Sequence, residues 1–79
     1  MDLRDKDMQL NYIAERIREL CEVEELSARE FASRIGLSAQ AVYRILEEKS
    51  FPKLETILII CREFDIEPNE LVGWEEYGR

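Results

Sequence analysis

The chain has 79 residues, of which 46% are hydrophobic and 37% charged, with three glycines and two prolines. That composition allows one domain with one small core and argues against a disordered or loop-rich chain. The formal net charge is −7, which speaks against a polyanionic partner unless the charge is unevenly placed.

The opening residues Met1-Asp2-Leu3-Arg4-Asp5-Lys6-Asp7 are too charged for a secretory signal and are predicted as a flexible acidic segment over 1–7. From there a first helix is expected, with Asp7 as its N-cap. Leu10, Ile13, Ala14, Ile17, Leu20 and Cys21 recur at the spacing of one helical face, and the helix should end near Val23 or Glu24. Ser27-Ala28-Arg29-Glu30 fits a capping box, which starts a second helix with Ala28, Phe31, Ala32 and Ile35 as its apolar positions. Gly36 should stop that helix, because glycine takes the left-handed conformation cheaply. Ser38 caps a third helix, in which Ala39, Val42, Ile45 and Leu46 are apolar, and Pro52 bars its continuation. A fourth helix is predicted from about Lys53 to Phe64, with Leu54, Ile57, Leu58, Cys61 and Phe64 inward. Pro68 opens a short fifth helix from Asn69 to about Gly73. The fold class is therefore all-α, a compact five-helix domain over residues 8–72, followed by an acidic tail over 73–79. Phe31, Ala32, Val42, Ile45, Leu54, Ile57 and Leu58 are the expected core.

Only Ile35-Gly36-Leu37 separates the second and third helices. So short a connection forces a sharp angle, and close packing then needs a small residue at the crossing, which Ala32 supplies. Val42 plugs the gap between the helices. This arrangement is that of a helix-turn-helix, here residues 27–48, in which the second helix of the pair enters the DNA major groove.

The matching residues are Arg16-Ile17-Arg18-Glu19-Leu20, Leu26-Ser27, Phe31-Ala32, Ile35-Gly36-Leu37-Ser38, Val42-Tyr43-Arg44-Ile45 and Pro52-Lys53-Leu54-Glu55-Thr56-Ile57. In this order and spacing the stretch from Arg16 to Leu71 resembles the Cro/cI repressor-like family (lambda repressor-like, XRE-type). The resemblance implies a five-helix fold that binds a DNA operator, usually as a dimer. The sequence departs from the family pattern at three positions: Ala28 stands where the family usually has glutamine, Leu46 where it often has glutamate, and Glu48 where it usually has glycine. A non-glycine residue with positive φ costs on the order of 1 kcal/mol, so the third helix is expected to run on to about residue 48, with an altered loop from Lys49 to Lys53.

Carried over position by position, the family's base contacts fall on Ser38, Ala39, Gln40, Tyr43 and Arg44. The chemistry agrees. Glutamine pairs bidentately with adenine, arginine reaches guanine or phosphate, and Ala39 or the Tyr43 ring meets a thymine methyl. Ser27 and Ser38 at helix N-termini, with Arg29, Lys49 and Lys53, are the candidate phosphate contacts. Against these stand plainer readings: Gln40 and Arg44 as solvated helix residues, the cations as ordinary surface charges, and the two serines as caps. Charge distribution favours the DNA reading. Residues 27–62 carry six Lys/Arg and four Asp/Glu (net +2), whereas residues 1–26 carry four and eight (net −4) and residues 63–79 one and six (net −5).

Ile59, Ile66 and Trp74 are surplus apolar residues and mark a candidate homodimer interface, although Trp74 is equally well read as folding back onto the core. Histidine is absent, so a serine or cysteine nucleophile lacks its usual base and no enzyme is expected. No cofactor, metal or small-molecule site is evident. The two cysteines, Cys21 and Cys61, read as buried free thiols. With no apolar run longer than the five residues from Ile57 to Cys61, a membrane span is not expected, and the expected location is cytoplasmic. The expected function is a sequence-specific transcriptional regulator, a repressor, that binds double-stranded DNA through the helix over 38–48. The alternative is a protein-interaction module on the same fold, antitoxin-like or an anti-repressor partner, favoured by the net acidity and by Ala28.

Overall fold

The computed structural model describes residues 3–73, with side chains from Lys6 onward. The described residues form five helices: α1 (Leu3–Val23), α2 (Ala28–Ile35), α3 (Ala39–Leu46), α4 (Leu54–Phe64) and α5 (Pro68–Val72). There is no strand among them. Among the described residues no helix is long and apolar enough to cross a membrane.

Helix α1 begins earlier than predicted. Asp7 lies inside it rather than capping it, because nothing between Leu3 and Asp7 breaks a helix and polarity alone does not end one. Its inward stripe is as expected, with Leu10, Ile13, Ala14 and Ile17 buried. The α1 helix packs against α3 and α5, while α4 packs against α2 and α5. Ile13 and Ile17 meet Phe31, Ala32 and Ile35 from α2, Val42 and Ile45 from α3, Ile60 from α4 and Leu71 from α5. Cys21 and Cys61 are free and half-buried, and burial pushes both thiols up from their ordinary value, with Glu70 adding to the effect at Cys61. They stay protonated at neutral pH.

Helix α4 is rotated from its expected facing. Leu54 is 72% exposed and Leu58 44%, so neither joins the core, whereas Thr56 and Ile60 are buried and Ile57, Cys61 and Phe64 are half-buried. Five consecutive apolar residues, 57–61, cover more than a full turn and leave no unique inward face to read. Tertiary contacts set the rotation instead. Phe64 stacks on Phe31 with ring centroids 5.3 Å apart, and Glu63 accepts from Arg34 at 2.9 Å, whose guanidinium lies over the Phe64 ring.

Helix ends follow the capping chemistry. At α2 the Ser27 hydroxyl accepts from the Glu30 N–H (3.1 Å), and the Glu30 carboxylate accepts from the Ser27 N–H (2.9 Å). The two bonds satisfy two N–H groups the helix cannot. At the other end of α3 the expected extension does not occur. The helix stops at Leu46, and Glu48 takes the left-handed conformation with φ 60°. Two hydrogen bonds hold it there, Glu48 N–H to the Ile45 carbonyl (3.0 Å) and Lys49 N–H to the Arg44 carbonyl (2.9 Å), which is the Schellman pattern. Asn11 of α1 donates to the Glu48 carboxylate at 3.3 Å. Turn closure thus outweighs the steric cost of a Cβ at this position. Glu25 and Asp65 have positive φ in the same way after α1 and α4.

Two expectations follow. Glu48→Gly relieves the strain at φ 60° but removes the exposed bond from Asn11 and adds freedom to the unfolded chain, so it raises stability by no more than about 0.5 kcal/mol; urea denaturation measures it. The hydrogen bonds from Ser27 hold the Glu30 carboxyl below its ordinary value, so the ionised form contributes stability that is complete above the unfolded carboxyl's pKa and is lost as pH falls through the folded one. Wild type should therefore exceed Glu30→Gln in stability at neutral pH, with the difference closing below about pH 4.

Candidate nucleic-acid interface

The turn between α2 and α3 is built on backbone geometry. Gly36 has φ 76° and ψ 23°, and the N–H of Leu37 donates to the Ala32 carbonyl at 2.9 Å. A Cβ at Gly36 would meet nothing within 4 Å, so glycine is favoured there by its left-handed φ and not by lack of space. Ser38 then returns to an extended conformation, and its hydroxyl accepts from the Ala41 N–H at 3.1 Å. That reversal sets α3 across α2 with Val42 and Ile45 inward. The opposite face of α3 is left to solvent.

The solvent face gathers most of the predicted site. Arg29, Ala39, Gln40, Tyr43, Arg44 and Lys49 line one open depression, together with Glu47. Gln40, Tyr43 and Arg44 are exposed and Ala39 is half-buried. Arg44 also lines a second depression beside it, where Lys53 joins Ser50, Phe51 and Glu55. Ser27 and Ser38 lie outside both depressions, at the N-termini of α2 and α3, with their hydroxyls engaged as caps. The first turns of these two helices retain outward N–H groups, which suit an anion.

Glu47 was not among the predicted residues, yet its position was readable: Gln40, Tyr43, Arg44 and Glu47 follow the helical spacing of one face. Its carboxylate lies 3.5 Å from the Lys49 ammonium, with both groups well exposed. The pair is therefore weak and readily exchanged for other partners. Arg18 of α1 was missed as well. Its guanidinium donates to the Leu46 carbonyl at 2.8 Å, placing a cation at the C-terminus of α3, where the helix dipole favours one.

Of the three candidate interface residues, the two described ones, Ile59 and Ile66, line different depressions. Ile59 is 38% exposed and lies beside Arg62 and Glu63. Ile66 is half-buried against the core and lines a separate depression with Tyr12, Arg16, Leu20 and Val23. Trp74 and the acidic tail lie outside the described residues.

Among known proteins, no curated relative and no solved structure matches the chain. A family model does, over residues 16–76, and its description is a Cro/C1-type HTH DNA-binding domain. The matched stretch takes in the whole α2–α3 unit and the depression on its outer face, and the chain belongs to the Cro/C1-type helix-turn-helix DNA-binding family.

Proposed function

We propose that this protein is a sequence-specific transcriptional regulator that lays α3 in the DNA major groove and represses by occupying its operator. The observation that carries the reading is the single open face on which Ala39, Gln40, Tyr43 and Arg44 lie beside Arg29 and Lys49. Base-reading and phosphate-binding groups are thus adjacent, and the phosphate contacts fix the register in which the base contacts work. Gln40 would pair with adenine and Arg44 with guanine or a nearby phosphate, while Ala39 and Tyr43 offer apolar contact to a thymine methyl. Lys53, at the N-terminus of α4, extends the cationic edge.

One domain of this size covers roughly 600–1,000 Å² of protein surface on DNA, and the net charge of −7 opposes approach to the duplex. Two copies on one operator supply two faces at high effective concentration, with recognition helices about 34 Å apart. The domain's extents of 33 × 23 × 21 Å suit two copies side by side at that spacing. The net acidity and the carboxylate of Glu47 on the face also favour a second reading, in which the fold serves as a protein-binding module.

Selection from random DNA, followed by mobility-shift titration at two salt concentrations, tests the first reading against the second. Enrichment of a defined site is expected. Gln40→Ala should then weaken that site by about 1–3 kcal/mol and relax preference at one position, whereas Lys53→Ala should weaken all sequences equally and reduce the salt slope by about 1. Absence of any enriched site at low salt would favour the protein-binding module.

A further inference from the structure

The seam between α1 and α5 brings together the two acidic ends of the chain. Helix α5 runs back along α1: Gln9 donates to the Val72 carbonyl at 3.1 Å, and a Cβ on Gly73 would come within 3.0 Å of the Tyr12 ring. Beyond Tyr12 the seam opens into a depression whose apolar lining is Tyr12, Leu20, Val23 and Ile66. Val23 is 76% exposed, and Met8, one turn before Tyr12, is exposed as well. From Met8 to Val23 the apolar strip runs about 22 Å along α1.

The strip is edged with acid. At 100° per residue Glu15, Glu19 and Glu22 share an arc of roughly 60° directly beside Tyr12 and Val23, and all three are exposed. From across the seam α5 adds Glu70, also exposed. Glu15, Glu22 and Glu70 have no ion pair among the described residues. Arg16, the cation in the lining, is engaged within the chain: it donates to Glu19 and lies 5.1 Å from the centroid of the Tyr12 ring. The surface thus offers an apolar floor between unmatched carboxylates.

We propose that this seam docks a basic amphipathic helix of a different protein, one with a leucine-like stripe at i, i+4, i+7 and i+11 and lysine or arginine on both flanks. Charge complementarity selects that occupant. The stripe covers Val23, Leu20 and the edge of Tyr12, as helices laid in apolar grooves do, and the flanking cations meet Glu22 on one side and Glu70 on the other. The strip is long enough for about four turns of such a helix. A second copy of this chain would set the same acids against one another, and its own tail, which carries Glu75 and Glu76, meets the same repulsion. Nucleic acid and anionic lipid are repelled more strongly still. No residue lining this depression lines either of the two beside α3. The proposal therefore goes beyond the DNA reading and does not depend on it.

The test titrates the full chain, without DNA, with a synthetic helical peptide of about sixteen residues, leucine on the stripe and lysine on the flanks. Calorimetry should give a one-to-one complex with a dissociation constant of about 10–100 μM. Backbone amide shifts should fall on residues 12–23 and 66–72 and leave residues 38–44 unmoved. A peptide of the same composition with its leucines spread round the helix should bind at least about tenfold more weakly, which plain ion pairing would not produce. Glu22→Lys and Glu70→Lys should each weaken the striped peptide roughly tenfold while keeping helical content and cooperative melting. Glu22→Gln and Glu70→Gln, milder changes at the same positions, should each weaken it about threefold. Glu55→Lys, the same charge change on an exposed site of α4, should leave it unchanged. No binding up to the millimolar range overturns the proposal, and so does equal binding of the two lysine peptides. Equal loss from Glu55→Lys and Glu70→Lys, or shifts at residues 38–44 in place of α1 and α5, overturns it too.

Discussion

Eight residues do not make a stable helix in water, where isolated segments under about 12–15 residues are marginal. Both α2 and α3 are eight residues long, and the proposed DNA face is built on them. Their existence depends on what they pack against. Ile13 and Ile17 of α1 and Ile60 of α4 complete the core around Phe31, Ala32, Val42 and Ile45, and the two serine caps close the N-terminal turns. The long α1 acts as a brace. From its length Asn11 reaches Glu48 and Arg18 reaches the Leu46 carbonyl, both at the C-terminal end of α3, while Gln9 donates to the Val72 carbonyl at the end of α5. The orientation of the recognition surface is therefore a property of the whole fold, and damage to α1 would reach it without touching any residue on the face.

Electrostatics divides the molecule by role. The acids crowd into residues 1–26 and 63–79, and residues 27–62 between them carry a small excess of base. An acidic protein that binds DNA gains little from non-specific attraction and so depends more on the fit of its base contacts. The exposed Glu47–Lys49 pair has the same tendency. A lysine next to a carboxylate is a weaker phosphate anchor than a lone one, and a carboxylate on the reading face disfavours any register in which it meets a phosphate. Both effects lower affinity for arbitrary sequence more than for a matched site, which suits a regulator that has to find one operator among many sites.

Much of this was legible in the sequence because the signals are local. Ser27 with Glu30, Gly36, and Ser38 each act within one turn of helix, and all three act as read. The alternating stripes of α1, α2 and α3 pointed inward correctly, with Val42 buried between its helices. What the sequence hid was non-local. The rotation of α4 was set by Phe31 and Arg34, which lie about thirty residues away in the chain, while its own run of apolar residues fitted several rotations. The turn at Glu48 was misjudged because the cost of a left-handed glutamate is local and readable, whereas the bonds that offset it include one from Asn11 in α1. The spacing of Gln40, Tyr43 and Arg44 places them on one exposed face of α3, and the same spacing reaches Glu47, whose acidic side chain does not suggest a DNA contact.

Contact between DNA and the proposed outer face of α3 is tested by backbone amide shifts on adding a duplex that carries the selected site, since these register contact at every residue at once. Shifts concentrated at residues 27–29 and 38–44, at Lys49 and at Lys53, with α1 and α5 little moved, are expected. Shifts confined to α1 and α5, with residues 38–44 unperturbed at saturation, would contradict that contact.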